Sequence, residues 1–192
     1  MRRTVLQVVM TLTTALMVSG CAARMSASSH VERARDFSVY RTYQWGSPDA
    51  LPTGDPRLDN DPFFRDHMMG AIEKQLAARG LQFAESGSAE LLIHYHANVV
   101  ERIDVNGIDS ANGYCGPGDC PASVVRYEAG TIVLDVIDAA SNRLIWRGWV
   151  QTNMRGVIGN RAGLSEVVDE AAARILQRFP RSPRAGDEPP AK

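Results

Sequence analysis

Hydrophobic residues recur along this chain with two distinct periods. "ELLIHYHANVVERIDV" (90–105) alternates with a period of two. Leu91, Ile93, Tyr95, Ala97 and Val99 fall on one side of an extended strand, and Leu92, His94, His96, Asn98 and Val100 on the other. "GTIVLDVIDAASNRLIWRGW" (130–149) holds two β-rich runs around Ala140, Ser141 and Asn142. A three-residue hairpin needs a residue tolerant of positive φ at its third position, and Asn142 supplies one. That register pairs Ala139 with Arg143, Ile137 with Ile145, Asp135 with Arg147 and Val133 with Trp149. On the other side it sets Val136 against Trp146 and Leu134 against Gly148. "DFSVYRTYQW" (36–45) is a further strand, closed by Gly46 and Pro48.

Two segments switch to the helical period. In "DPFFRDHMMGAIEKQLAARG" (61–80), Asp61 is a natural N-cap, Pro62 suits the first helical position and Gly80 is a stop. Phe64, Met68, Ile72 and Leu76 form its apolar stripe, which reads as core rather than as a ligand site. In "LSEVVDEAAARILQRFP" (164–180), Ser165 is the expected cap and Pro180 the end. The expected fold is α+β: an antiparallel sheet of about four strands with two helices on one face, in the order β-α-β-β-β-α.

The ends of the chain read differently. Arg2 and Arg3 precede an uncharged apolar stretch from Thr4 to Val18, the form of a secretory signal peptide and too short to span a bilayer. "VSGC" (18–21) closes it and resembles the lipobox of bacterial lipoproteins. That resemblance implies cleavage after residue 20 and acyl chains on Cys21, enough to anchor the chain stably. Ala22 stands where Asp would signal inner-membrane retention, so the expected address is the periplasmic leaflet of the outer membrane. Residues 21–30 then form the lipidated cysteine and a flexible tether, 31–180 a single domain, and 181–192 a disordered tail.

Composition adds little to this. A 44% hydrophobic, 22% charged chain is ordinary for a globular protein. Its net charge is −1 before Arg2 and Arg3 are removed, and it has no basic run to neutralise phosphates, so nucleic acid is not an expected partner.

The candidate chemistry is sparse. Asp135 and Asp138 lie three apart on one strand, so they point to opposite faces and cannot share a bond as an acid–base pair. Cys115 and Cys120 sit in "CGPGDC", inside the long irregular loop 106–123. Beyond a signal peptide they meet an oxidising compartment, and a disulfide between them is expected. His94 and His96 share a strand face at a spacing that suits zinc, and His67 is a third histidine. No further ligand is evident, so no metal or cofactor is assigned. Trp45, Trp146 and Trp149 offer a glycan- or lipid-facing platform, although Trp146 shares the side of Leu134 and Val136 and reads as core. No G-x-S-x-G elbow and no phosphate-binding glycine motif occurs.

In order along the chain, "DFSVYRTYQW", "LAARGLQF", "AELLIHYHA", the 130–149 hairpin and "ILQRFP" resemble the bacterial lipoprotein family catalogued as domain of unknown function 4136. Glu90 departs from that pattern, where Asp is usual. The resemblance implies a small α+β envelope lipoprotein and brings no catalytic residue with it. The expected role is a non-enzymatic binding or accessory module for an envelope protein or component. The rival readings are a periplasmic hydrolase built on His94 and His96, and a lipid- or glycan-binding module.

Overall fold

The computed structural model describes residues 25–47, 55–85, 88–104 and 125–180. Among these residues six strands form one sheet: β1 (Ser26–Val31), β2 (Thr42–Trp45), β3 (Gln82–Phe83), β4 (Leu91–Asp104), β5 (Val125–Asp138) and β6 (Arg143–Asn153). Three helices accompany them: α1 (Pro56–Asp59), α2 (Pro62–Ala77) and α3 (Arg161–Leu176). Across the sheet the order is β1-β6-β5-β4-β2-β3.

The α+β class is as expected, but the sheet is larger and not purely antiparallel. β2 pairs in parallel with both β3 and β4. Parallel neighbours need a crossover, and α2 supplies it between β2 and the strands that follow. The remaining pairs are antiparallel.

The added strands escape sequence reading for physical reasons. All of β1 but Val31 lies within the 21–30 segment expected to be a flexible tether, yet Ser26–Val31 pairs with β6 from Gln151 to Trp146. Its small polar residues make no apolar stripe, because an edge strand gains order from backbone bonds to its neighbour. Met25, just ahead of it, is buried, and its carbonyl accepts a 3.0 Å bond from Arg174 Nη1. β3 is two residues long, which leaves no period to see. The strand expected to begin at Asp36 starts instead as a 3-10 turn over Phe37–Val39, capped by Asp36 accepting from Ser38 N at 2.8 Å.

α2 begins and ends where its signals lie. Asp61 accepts from Phe63 N at 3.0 Å, and Gly80 turns the chain at φ 88°. The expected stripe is the buried face, with Met68 and Leu76 fully enclosed. Enclosing each such side chain contributes roughly 1.5–3 kcal/mol. α3 starts earlier than expected. Asn160 is its cap, accepting from Gly163 N at 3.2 Å, while Ser165 lies inside the helix and donates to Arg161 O.

The hairpin keeps four of the expected pairings and alters two. Asp135–Arg147, Val133–Trp149, Val136–Trp146 and Leu134–Gly148 are as anticipated. Nearer the turn, Asp138 pairs with Arg143 and Ile137 with Leu144, so the loop is one residue longer than expected. A bulge takes up the difference at Ile145. It lets Ile145 and Trp146, adjacent in sequence, both turn into the core. Asn142 adopts φ 52°, as the turn requires.

One face of the sheet is the core. Leu91, Ile93 and Ala97 of β4, Ile132, Leu134 and Val136 of β5, and Trp146 and Val150 of β6 are all buried there against α2 and α3. Gly148 makes room in this layer. A Cβ at that position would lie 2.2 Å from Trp146 Cη2 and 2.7 Å from Ile175 Cγ2. Gly148→Ala is therefore expected to cost about 1–3 kcal/mol through overpacking. Denaturant unfolding checks this, and an unchanged midpoint would contradict the packing described.

Candidate functional site

The two acids of the hairpin are engaged in structure. Asp135, 2% exposed, accepts Arg147 Nε and Nη2, both at 2.6 Å, in a two-point pair across β5 and β6. The carboxylate raises the Arg147 pKa. Asp138 faces the other way. It accepts from Ser141 N at 2.8 Å, Ser141 Oγ at 2.5 Å and Tyr40 Oη at 2.6 Å, with Arg35 Nη1 3.6 Å away. The two carboxylates lie on opposite faces, as the spacing requires.

The histidines do not gather. His94 and His96 lie on the sheet face away from the helices, with His94 opposite Asp135. His67 sits on α2, stacked on Phe63, with Nε2 3.4 Å from Asp169 Oδ1 of α3. Among the described residues, no three His, Cys, Asp or Glu side chains are grouped to hold a metal ion. Burial lowers the His96 pKa. The tryptophans are likewise separated: Trp146 is enclosed in the core, while Trp149 is half-buried on the opposite face. Cys21, Cys115 and Cys120 lie outside the described residues, as do the signal segment, the whole 106–123 loop and the 181–192 tail.

What the fold does bring together is a cleft where β2 ends beside β4. It encloses about 300 Å³. Trp45, Tyr95 and Met69 give it apolar surface, and Asp59, Arg65 and His96 give it charge and polarity. Trp45 is fixed by a 2.8 Å bond from Nε1 to Glu73 Oε1 of α2 and by an edge-on contact with Tyr95, centroids 6.1 Å apart. Tyr95 also meets Phe64 edge-on. Burial raises the Tyr95 pKa, opposed by Arg65. Gly46 admits the His94 ring, since a Cβ there would lie 1.9 Å from Nε2.

The mouth of this cleft is set at the far end of β2. Glu90 Oε2 accepts from Arg41 N at 2.6 Å and from Thr42 N at 2.9 Å, pinning the strand at its start. These backbone donors lower the Glu90 pKa. β2 then runs only to Trp45, and Gly46 N makes a last bond to Ile93 O at 2.9 Å. Sequence reasoning placed Trp45 and Tyr95 on strands but did not bring them together, because their meeting depends on parallel pairing of β2 with β4.

The family described as "Domain of unknown function (DUF4136)" matches residues 27–181. The chain belongs to this family. No curated protein matches it. Among solved structures, this DUF4136 domain is similar to the PelC dodecamer from Paraburkholderia phytofirmans at 12% identity and a TM-score of 0.46, covering 80% of this chain and 96% of that one. It is also similar to a PDZ domain protein from Parabacteroides distasonis at 12% identity and a TM-score of 0.50. That match covers 84% of this chain but only 38% of the other. At such identity the likeness concerns the fold alone.

Asp138 carries a pH signature. Ser141 and Tyr40, as hydrogen-bond donors, hold its pKa down to about 2 from an ordinary 3.8. A depressed carboxylate lends stability above its ordinary value and loses it as pH falls toward the folded value. Asp138→Asn is expected to cost about 1.5–3 kcal/mol at pH 7, since it removes a charged acceptor. The gap to the parent narrows between pH 3.8 and about 2. Unfolding curves across that range check this; a gap that stays constant would show that ionised Asp138 is not its source.

Proposed function

We propose that this DUF4136 domain is a lipid-anchored, periplasm-facing envelope module that binds an envelope protein or component rather than transforming one. The observation that carries this reading is the cleft beside β4, with its aromatic wall and charged rim. Its size and mixed lining suit recognition of a ligand group. The acids that sequence singles out, Asp135 and Asp138, are committed to Arg147 and to Tyr40 and Ser141. The charged start, apolar run and "VSGC" support the anchor, and Ala22 supports the outer membrane as its address.

Chain length sharpens this picture. Cys21 and buried Met25 are four peptide steps apart, a reach of about 14 Å at most. An acylated Cys21 therefore holds the domain against the headgroups rather than on a long leash. β1 begins at the end of the sheet where Asn98, Thr131, Gln151 and Ser26 lie in one row. β4 and β5 continue past that row as a ribbon, to Asp104 and back from Val125, about 20 Å further. The ribbon thus projects from the anchored end.

Two measurements test the proposal. Fractionation is expected to find the parent chain with membranes and Cys21→Ser in the soluble periplasm; a membrane-bound Cys21→Ser would remove the lipid anchor. Native mass spectrometry of the recovered Cys21→Ser chain tests the module. Bound zinc that is lost with His94→Ala and His96→Ala would replace the binding reading with a metalloenzyme. Absence of zinc, together with peptide, lipid or glycan adducts that Met69→Arg weakens at least tenfold, is the expected result.

A further inference from the structure

The two strands that build the cleft differ greatly in length. β2 spans four residues and β4 fourteen. Pairing between them covers only Leu91 to Ile93 of β4. Among the described residues, no strand pairs with that edge of β4 beyond Ile93, although its other edge is paired with β5 along its whole length.

Backbone direction along this edge is fixed by two bonds. Ala139 N donates to Glu90 O at 3.0 Å, so the even-numbered residues of β4 exchange bonds with the β5 side. Gly46 N donates to Ile93 O at 2.9 Å, so the odd-numbered residues face β2. Beyond Ile93 the same alternation points the N–H and C=O of Tyr95, Ala97 and Val99 at the open edge. Three donors and three acceptors there continue the ladder that β2 begins. Their side chains meanwhile turn toward the helices, with Ala97 buried and Tyr95 and Val99 half-buried.

Strand edges are usually blunted by charge, because they template pairing with other chains. On β4 the carboxylates and guanidinium, Glu101, Arg102 and Asp104, come only at the far end. The stretch Tyr95–Val99 carries no carboxylate, lysine or arginine, and it adjoins the 300 Å³ cleft lined by Trp45, Met69 and Arg65.

We propose that the occupant of this edge is an extended peptide segment of a partner protein, which adds as a strand beside Tyr95, Ala97 and Val99 in line with β2 and places a large apolar side chain in the cleft. The backbone bonds supply affinity independent of sequence, and the cleft supplies the choice of side chain. The Trp45–Tyr95 pair forms the wall such a side chain meets, and Gly46 leaves the His94 ring packed over the end of β2. The proposal rests on the binding-module reading, and it narrows the ligand class to polypeptide.

The test uses amide hydrogen exchange by NMR on the chain from Cys21 onward carrying Cys21→Ser, with a displayed library of random nonapeptides as the probe. In the free chain, the amides of Tyr95, Ala97 and Val99 are expected to exchange at least a hundredfold faster than those of His94 and His96, which face β5. A selected nonapeptide with one large apolar residue between β-forming neighbours is expected to slow those three amides at least tenfold. Val99→Pro removes one outward N–H from an edge position, where proline is tolerated. It is expected to keep the unfolding midpoint while weakening the peptide at least tenfold; Val99→Thr is expected to bind like the parent.

Protection of the three amides in the free chain would overturn the proposal, because the edge would already be covered by the chain itself. Selected peptides that shift Trp45 and Met69 signals without protecting the amides would also overturn strand addition, but they would leave the binding-module reading intact. Failure of every peptide, lipid and glycan to perturb the cleft would remove both. If Val99→Pro unfolds the domain, the exchange rates of the unsubstituted chain decide the matter.

Discussion

The pairing of Asp135 with Arg147 is the interaction on which the rest of this sheet depends. It joins β5 to β6 through two short charged bonds on a nearly dry carboxylate. Side chains alternate along a strand, so a slip of one residue would turn Leu134, Val136 and Trp146 out of the core. A buried carboxylate without its cation is expensive, by roughly 3–5 kcal/mol, so alternative registers carry that cost in addition to lost packing. With the register held, Trp146 meets Phe179 edge-on at 5.1 Å, and Gly148 lets Ile175 approach. The third helix is thereby seated on the sheet.

A second anchor works at the turn. Asp138 ties Ser141 of the loop to Tyr40, which precedes β2. Phe37 beside it packs edge-on against both Tyr40 and Phe179. The segment entering β2 is thus held between the hairpin and the end of α3. From there Glu90 fixes the first amides of β2 against the start of β4. The position of the cleft follows from these attachments: β2 is pinned at one end and stops after four residues, and among the described residues β4 then continues paired with β5 only.

Among the described residues, the helices cover one face only. On the other, His94, Asp135, Arg147 and His30 form a cross-strand row, and Leu92, Ile137 and Leu144 form another. The chemistry that sequence suggested for the histidines therefore belongs to a different face from the core, while the cleft opens at the edge between the two.

Several features were legible in the chain alone. The strand alternation of 91–100, the hairpin with its Asp135–Arg147 pair, the Asp61 cap, the α2 stripe and the DUF4136 likeness all rest on local periodicity or on near neighbours in sequence. Short-range rules decide such features, because the interacting residues lie within a turn or a hairpin of one another. Other features rest on tertiary structure. β1 orders through bonds to residues more than a hundred positions away, and the bulge at Ile145 answers to core packing. The meeting of Trp45 with Tyr95 needs parallel pairing across a helix. Among the described residues, the β2-facing edge of β4 has no strand partner beyond Ile93, because β4 outlasts β2. Sequence determines which residues prefer to be extended or buried, while the length over which two strands actually pair is decided only when the whole sheet closes around its core.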